Sequence, residues 1–264
     1  MRDTRAFKIK SMPSKSTRRN SAPDSLANRR LRRMYNHLVS RYGPQQRWPA
    51  QSPFEVVIGA YLTQNTAWKS VERSIANLEA RGILSIAGLR DIPEDELRQL
   101  IRPSGFMIRK AAALKAFVAF LDAHYHGQIE ALQHAARENP AAIREQLLDL
   151  PNIGPETADA ILLYALNAPA MVVDEYLRRI TTRHGLVPAS AKYAEIQSLA
   201  EQAFAQERAS ESPVQLARHY NEFHALMVQI GKLHCGRTPR CEGCLLAFDL
   251  AKHNPAALPH KLKA

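Results

Sequence analysis

The sequence lacks any long apolar run, and no stretch approaches the roughly 20 residues that a membrane-spanning helix requires. The first residues mix Arg2, Asp3 and Arg5 and contain no apolar segment of the kind found in secretory signals. Cysteine is scarce, and all three cysteines lie within ten residues of one another. This clustering argues against a disulfide framework and for a metal or cluster site in a reducing compartment. We therefore expect a cytoplasmic protein, in a bacterial-type cytosol or nucleoid, without membrane partners.

The positive charge is concentrated near the N-terminus. Residues 1–33 contain eleven Lys or Arg and two acidic residues, so they carry +9 of the net charge of +11. Residues 1–25 are rich in Ser, Arg, Lys and Pro and have little to bury, so we expect a disordered basic tail. Such a tail could raise the affinity for a phosphate backbone through counterion release. A solvated extension and a misassigned start site are the alternatives.

From Ser25 onward, apolar residues recur with a helical period in nearly every segment. Phe54–Leu62 is apolar nearly all round, which suits a helix at the centre of a core, although a buried strand is the alternative. Neither βαβ alternation nor a hairpin dipeptide between strands is visible, so the predicted fold class is all-α. The other helices are expected at about 26–43, 67–80, 93–101, 107–125, 141–148, 155–166, 174–184, 190–206 and 212–233.

A tight turn joins two of these helices. Leu150–Gly154 is too short and too constrained for any other structure. Gly154 allows a backbone conformation closed to other residues, and Pro155 suits the first position of the next helix. Free N–H groups at that helix start would bind a phosphate through oriented amides and the helix dipole, without reading sequence. An ordinary turn between helices is the alternative.

The motif Leu-Pro-x-Ile-Gly-Pro-x-Thr-Ala-Asp at residues 150–159 resembles the helix-hairpin-helix of the endonuclease III superfamily of DNA glycosylases. Asp174 follows Glu156 by eighteen residues, the spacing at which that family keeps its catalytic aspartate. The alternative for Asp174 is an N-cap of the next helix. The resemblance implies that the partner is double-stranded DNA with a damaged base. The hairpin residues that would contact it are Asn152, Ile153, Gly154 and Thr157.

The resemblance also implies the domain organisation. It predicts a monomer with a two-lobed helix-hairpin-helix glycosylase fold and a central cleft for the flipped base. A six-helix lobe would span residues 45–168, and a second helical lobe would combine residues 26–44 with 169–264. Glu156 and Asp174 would face the cleft from opposite lobes.

Glu156 departs from the pattern of the bifunctional members of this superfamily. Those members carry a lysine here, whose amine attacks C1′ to form a Schiff base before the strand is cut. Because a carboxylate cannot form that imine, we predict a monofunctional enzyme that uses water, with weak or no lyase activity. Asp174 would stabilise the positive charge on the sugar and orient or deprotonate the water. The alternative for Glu156 is that the helix dipole alone favours an acid there.

The segments around Gly154–Leu162 and Met171–Tyr176 are similar to the 3-methyladenine glycosylase branch. An N-alkylated purine is cationic, so aromatic faces could select it through stacking and cation–π attraction. That branch can carry several consecutive aromatic residues where only Trp48 remains here. The candidates for the base pocket are Trp48, Trp68 and Phe54. The rival functions are an endonuclease III-like glycosylase for oxidised pyrimidines or mismatches, and a non-catalytic DNA-binding protein that uses the hairpin alone.

Two loop residues match the side chains with which this family fills the space of a flipped base. Gln64 resembles a glutamine inserted into the duplex, and Phe106 resembles an apolar wedge. Inserted side chains replace part of the pairing and stacking that flipping removes. The alternatives are a helix cap for Gln64 and a core position for Phe106.

The spacing Cys235-x5-Cys241-x2-Cys244 resembles the C-terminal iron–sulfur loop of the superfamily, in which a fourth cysteine follows six residues after the third. That position is Leu250 here. A [4Fe–4S] cluster normally takes four thiolates. The chain could keep a cluster with a substitute ligand, hold zinc on three cysteines and a histidine, or lack metal with Leu250 in the core. We favour a cluster that is absent or labile.

Other side chains near this loop have expected roles. Substitute ligands could come from His234, Asp249 and His253. Phosphate contacts are expected from Arg237 and Arg240. Core polar packing is expected for His219, Tyr220, Asn221 and His224 on the preceding helix.

Overall fold

The computed structural model describes residues 24–45, 50–205 and 207–253. The predicted tail lies outside the described residues except for Asp24 and Ser25, and Trp48 also lies outside them. Ser25 accepts a hydrogen bond from the Asn28 N–H at 3.1 Å and caps the first helix. Asp24 forms an ion pair with Arg32 at 2.6 Å. The folded body therefore begins before the boundary predicted at residue 25.

The described ranges fold into thirteen α-helices, a 3-10 helix at Arg102–Ser104 and a π-helical turn at Ile161–Ala165. They contain no β-strand, which confirms the predicted all-α class. None of their helices is long and apolar enough to cross a membrane. The α-helices are α1 (Leu26–Tyr42), α2 (Pro53–Thr63), α3 (Trp68–Ala80), α4 (Ile86–Asp91), α5 (Glu94–Leu100), α6 (Met107–Tyr125), α7 (Ile129–Glu138), α8 (Pro140–Leu148), α9 (Pro155–Ala160), α10 (Glu175–Arg183), α11 (Tyr193–Ala205), α12 (Pro213–His234) and α13 (Ala247–His253).

Three short helices, α4, α7 and α13, are absent from the sequence prediction. Of these, α4 and α7 lie in the described part of 45–168, which therefore contains eight α-helices instead of six. α4 buries only Leu89 and α7 only three residues, which is too few for a clear apolar period. The helix expected over 155–166 is also different. Its α-helical part ends at Ala160, and the π turn follows, in which the Leu166 N–H bonds to the Ile161 carbonyl at 3.0 Å.

The helices enclose two buried apolar clusters, called here the first core and the second core. The first core is built from α2 to α9, with α2 at its centre, where every residue from Phe54 to Leu62 is buried. This confirms the helix predicted there and excludes the strand. The second core is built mainly from α1, α10, α11 and α12, together with Met171–Val173. Tyr164, in the π turn, packs against both cores.

A buried ionic group joins α1, α10 and α13 in the second half of the fold. Arg30 donates to both carboxylate oxygens of Asp249, at 2.9 and 2.6 Å, and His184 Nδ1 lies 2.8 Å from Asp249 Oδ2. Burial opposes ionisation of Asp249, but the hydrogen bonds from His184 and Arg30 outweigh it and lower the pKa of Asp249 to about 2. Both carboxylate oxygens are therefore engaged in holding helices together.

Candidate functional site

The predicted hairpin forms between α8 and α9. Its left-handed residue is Asn152, with φ of 59°, whereas Gly154 has φ of −100° and ordinary extended backbone. The expectation that Gly154 supplies a conformation closed to other residues is therefore wrong. A Cβ at Gly154 would meet no protein atom within 4 Å, so packing does not require glycine either. Glycine instead leaves the backbone open at the start of α9, where Pro155 is the first residue.

Gln64 joins the end of α2 to the hairpin. Its Nε2 donates to the Asn152 carbonyl at 2.7 Å and to Thr157 Oγ1 at 2.9 Å. Asn152 Nδ2 donates in turn to the Arg109 carbonyl at 3.1 Å. Gln64 is the C-cap residue of α2, but its side chain bonds to the hairpin instead of to its own helix. It therefore lies at the surface where the two elements meet.

Phe106 precedes α6 with a φ of 48° and 61% of its surface exposed. The core alternative for Phe106 is therefore wrong. Beneath it lies the buried ammonium group of Lys110, whose pKa burial lowers to about 8. Its three acceptors, each at 2.8 Å, are Leu62 O, Thr66 Oγ1 and Ser104 O. Lys110 thus ties the loop that carries Gln64 to the loop that carries Phe106.

The hairpin and these two loops border one open depression of about 340 Å³. Ile153 and Thr157 are each only 8% exposed, so their side chains support the hairpin and do not project outward. This corrects their predicted place among the outward contacts: Ile153 can offer only its backbone, and Thr157 holds Gln64. The residues that line the depression are Gln64, Asn65, Phe106, Arg109, Lys110, Asn152, Ile153 and Gly154.

The fully buried carboxylate of Asp159 ties α9 to α8 and α11. Its partners are Arg144 Nε at 2.6 Å, the Tyr193 hydroxyl at 2.8 Å and Gln197 Nε2 at 2.8 Å. Tyr193 also accepts the Val173 N–H at 3.2 Å, and Gln197 donates to the Met171 carbonyl at 2.9 Å. The backbone that leads into α10 is therefore fixed against the hairpin helix.

Asp174 is the N-cap of α10. Its Oδ1 accepts the Leu177 N–H at 2.8 Å, which agrees with the N-cap role given as the alternative for this residue. That bond leaves Oδ2 available, so capping and a chemical role are compatible. The side chain is 14% exposed, and the helix N-terminus favours negative charge at this place.

Glu156 lies in the first turn of α9 and remains open to solvent. Partial burial of its carboxyl group, together with the charges of Asp174 and Glu175, raises the pKa of Glu156 to about 7, against a smaller opposing effect of Arg178. The charge of Asp174 therefore acts on Glu156 although the two residues belong to different helices. A group that titrates near pH 7 can act as an acid or a base at physiological pH.

The aromatic candidates are less well placed than the carboxylates. Phe54 is 5% exposed and belongs to the first core, so its predicted place in an open base pocket is wrong. Trp68 is half-buried at the start of α3 and packs against the same core. Trp48 lies outside the described residues. Of the two predicted pocket aromatics that the structure describes, Trp68 is therefore the one that remains partly accessible.

The three cysteines line a cavity of about 80 Å³ next to the loop that follows α12. Leu250, at the place of the expected fourth cysteine, is 4% exposed and packs against Cys241. Burial raises the pKa of the Cys241 thiol and raises the pKa of the Cys244 thiol to about 11. Leu250 therefore fills the ligand position with apolar packing.

The substitute ligands are largely committed elsewhere. Both carboxylate oxygens of Asp249 are engaged by Arg30 and His184, so the prediction of Asp249 as a free ligand is wrong. Among the cysteines, Cys235 Sγ lies 3.1 Å from Arg183 Nη1. His234 Nδ1 bonds to the Arg240 carbonyl at 2.8 Å, which leaves only Nε2. Within the described residues, no three His, Cys, Asp or Glu side chains form a group that could hold a metal ion. These residues do not fit a four-thiolate cluster.

Three side chains that shape the site had no predicted chemical role. Lys110 interrupts the buried face of α6, and Asp159 closes the hairpin motif, so each had a local signal. His224 had none. It is buried, as expected for core packing, but its Nε2 lies 3.7 Å from Asp174 Oδ2, a contact that only the tertiary fold creates.

The two arginines predicted to contact phosphate near the cysteine loop, Arg237 and Arg240, are both exposed.

Known proteins share this architecture. A profile of the HhH-GPD superfamily of base excision DNA repair proteins matches residues 58–206. A Methanocaldococcus jannaschii protein named as a DNA repair glycosylase is 38% identical over 221 residues, which cover 83% of this chain and 96% of that protein. The H. pylori 3-methyladenine DNA glycosylase bound to 1,N6-ethenoadenine has a TM-score of 0.66 at 28% identity, covering 78% of this chain and 97% of its own. A non-covalent endonuclease III–DNA complex has a TM-score of 0.69 at 22% identity, covering 85% and 95%, which shows a shared fold.

The cysteine loop generates a first prediction. Protein purified without oxygen is expected to lack the visible absorbance of an iron–sulfur cluster and to carry substoichiometric iron, because Leu250 occupies the fourth ligand position. Leu250→Cys is expected to take up iron and gain that absorbance on anaerobic reconstitution. Leu250→Ala, which opens the same space without a thiol, serves as the control. Stoichiometric iron in the unmodified protein would contradict this account.

Proposed function

The chain belongs to the HhH-GPD superfamily of base excision DNA repair proteins, and we propose that it is a monofunctional DNA glycosylase that hydrolyses the N-glycosidic bond of a damaged base in duplex DNA. The observation that carries this proposal is the placement of two carboxylates at helix starts beside the hairpin: Glu156 lies in the first turn of α9, and Asp174 caps α10, whose leading backbone is tied to α9 through Asp159. Glu156 stands where bifunctional relatives have a lysine. The proposed catalytic site therefore contains two carboxylates, and residue 156 supplies no amine to it.

The hairpin would hold the DNA backbone. Gly154 leaves the N–H groups at the start of α9 uncovered, with no Cβ to keep a phosphate away. A helix N-terminus preceded by such a turn favours a phosphate through its amides and dipole. Asn152 and Arg109 border the same depression, and Arg109 supplies a positive side chain. This grip positions the duplex without reading its sequence.

Phe106 and Gln64 would stabilise the duplex after the damaged base leaves the stack. Phe106 is an exposed apolar side chain at this depression that could enter between base pairs, and Lys110 beneath it holds its loop in place. Gln64 lines the same depression and is held by the hairpin. Two side chains at one depression suit a wedge and a plug that fill the space of a flipped base.

The two carboxylates would divide the chemistry. As the bond between C1′ and the base nitrogen breaks, the base leaves with the electron pair and positive charge develops on the sugar. Asp174 would stabilise that charge with its carboxylate at the start of α10. Glu156, whose pKa is about 7, would accept the proton of the water that bonds to C1′.

An alkylated purine is the damaged base that this arrangement suits best. The H. pylori structure that resembles this chain at 28% identity is a 3-methyladenine glycosylase. A cationic alkylpurine is already a good leaving group, so the site needs no strong acid to protonate it. Trp68, partly accessible at the start of α3, would offer an aromatic face to such a cation. The resemblance to endonuclease III favours oxidised pyrimidines as the second candidate.

Excision from a panel of lesion-bearing duplexes tests this proposal. Purified protein is expected to release an alkylpurine, and Asp174→Asn is expected to slow single-turnover release by roughly 10²- to 10⁴-fold. Asparagine caps a helix as well as aspartate does, so this variant removes the charge and keeps the fold. Glu175→Gln, at the exposed neighbouring acid, is the control and should retain activity. Tight DNA binding without release of any base would favour a non-catalytic binding protein.

Borohydride trapping tests the absence of lyase chemistry. On a duplex with an abasic site, the unmodified protein is expected to form no covalent adduct, because Glu156 cannot form an imine. Glu156→Lys is expected to form one, since it places an amine beside Asp174. Glu145→Lys adds the same charge at an exposed position of α8 and should form none. A robust adduct with the unmodified protein would favour the endonuclease III-like alternative.

A further inference from the structure

His224 on α12 is buried, yet one of its ring nitrogens has no hydrogen-bond partner. The side chain is 9% exposed, and Nδ1 bonds to the Tyr164 hydroxyl. Nε2 is without a partner in the described residues and faces Asp174 Oδ2 at 3.7 Å. A buried polar atom left unpaired is unfavourable, so a place where one persists beside a reactive carboxylate requires an explanation.

Tyr164 determines which ring nitrogen of His224 carries the proton. Burial, and to a smaller extent the charge of Asp174, raises the pKa of Tyr164, so the hydroxyl keeps its proton and can donate a hydrogen bond to Nδ1. The opposite arrangement would set an unprotonated Nε2 against Asp174 Oδ2, two acceptors facing each other, so the contact favours Nδ1 as the acceptor. Burial lowers the pKa of His224 despite the opposing effect of Asp174, so the ring is neutral. In a neutral ring that accepts at Nδ1, the proton lies on Nε2 and points towards Asp174.

The carboxylate of Asp174 is only half fixed by its own helix. Oδ1 accepts the Leu177 N–H at 2.8 Å, whereas Oδ2 has no equally short contact from His224. Hydrogen bonds around catalytic groups are often long in a free enzyme and tighten when substrate binds. Shortening the Nε2–Oδ2 distance to about 2.9 Å would complete a hydrogen bond and fix the plane of the carboxylate.

The three side chains come from three elements that pack together. Tyr164 lies in the π turn, His224 on α12 and Asp174 at the start of α10, and α12 contacts both of the other elements. Tyr164 also packs against both cores. Short π-helical segments inside helices are frequent at functional sites, where they redirect side chains.

We propose that His224 is a positioning residue for Asp174, and that Tyr164 sets its tautomer, so that the chain Tyr164–His224–Asp174 aims the carboxylate at the sugar of the flipped nucleotide. This inference rests on the proposed glycosylase function. It differs from core packing in that the ring must supply an N–H at the Nε2 position. An apolar side chain of the same size would fill the space but leave Oδ2 undirected.

The test measures how well the protein binds positive charge at the sugar position. One duplex carries a pyrrolidine abasic analogue, whose ring nitrogen is cationic at neutral pH, and the other carries a neutral tetrahydrofuran analogue. The unmodified protein is expected to prefer the cationic duplex by roughly 100-fold, since that charge resembles the transition state. This comparison requires neither a known lesion nor any turnover. A preference absent from the unmodified protein would overturn both the proposed function and the role of His224.

His224→Leu is expected to reduce the preference by roughly tenfold or more while it leaves the affinity for the tetrahydrofuran duplex unchanged. His224→Gln, whose amide reaches the position of Nε2, is expected to retain most of the preference. His219→Leu is the matched control: His219 lies on the same helix, is equally buried, has a tyrosine at Nδ1 and has an unpaired Nε2. It should keep the full preference.

Full preference in His224→Leu, or an equal loss in His219→Leu, would overturn the positioning role while leaving the proposed function intact. Tyr164→Phe provides a second variant if His224→Leu does not fold. It removes the hydroxyl that bonds to Nδ1 and keeps the ring, so an intermediate preference is expected. An unchanged preference in Tyr164→Phe would also overturn the proposal.

Discussion

The buried carboxylate of Asp159 is the interaction on which the rest of the site depends. It is fully enclosed, and a buried charge without partners is strongly unfavourable, so it must keep Arg144, Tyr193 and Gln197 around it. Arg144 lies on α8, before the hairpin, while Tyr193 and Gln197 lie on α11 and also bond the backbone of residues 171–173. One carboxylate thereby fixes the hairpin helix against the segment that ends in Asp174. The relative position of the two halves of the site follows from this constraint.

That constraint brings two more carboxylates close together, where their charges influence each other. The pKa of Glu156 is raised to about 7 by partial burial and by Asp174, so Glu156 is only half-ionised at neutral pH. Asp174 lies at a helix N-terminus, where the dipole favours negative charge. The two groups thus differ in environment although the charge of one acts on the other. This difference supports a division between a stabiliser of the sugar and an acceptor of the water's proton.

The sequence was informative where a feature is local and repeated, and uninformative where the feature arises from packing. The apolar run in α2, the hairpin motif and the fold class follow from periodicity and short motifs, and the structure agrees with them. The exposure of Phe106 also matched its loop position. The left-handed residue is Asn152, not Gly154, and asparagine is one of the few residues besides glycine that adopt this conformation. The contact between His224 and Asp174 could not be predicted, since it needs residues from distant segments to meet. The π turn at residues 161–165 follows an apolar pattern that is also that of an ordinary helix.

The most direct test of the central claim is the pH dependence of single-turnover base excision by the unmodified protein and by Glu156→Gln. If ionised Glu156 accepts the proton of the attacking water, the rate of the unmodified protein rises with pH through a midpoint near the pKa of about 7 and then levels off. The glutamine variant has the same shape but no titratable group, so its rate should be lower and flat across that range. The same midpoint in the glutamine variant, or a rate that falls as pH rises through 7 in the unmodified protein, would contradict the account.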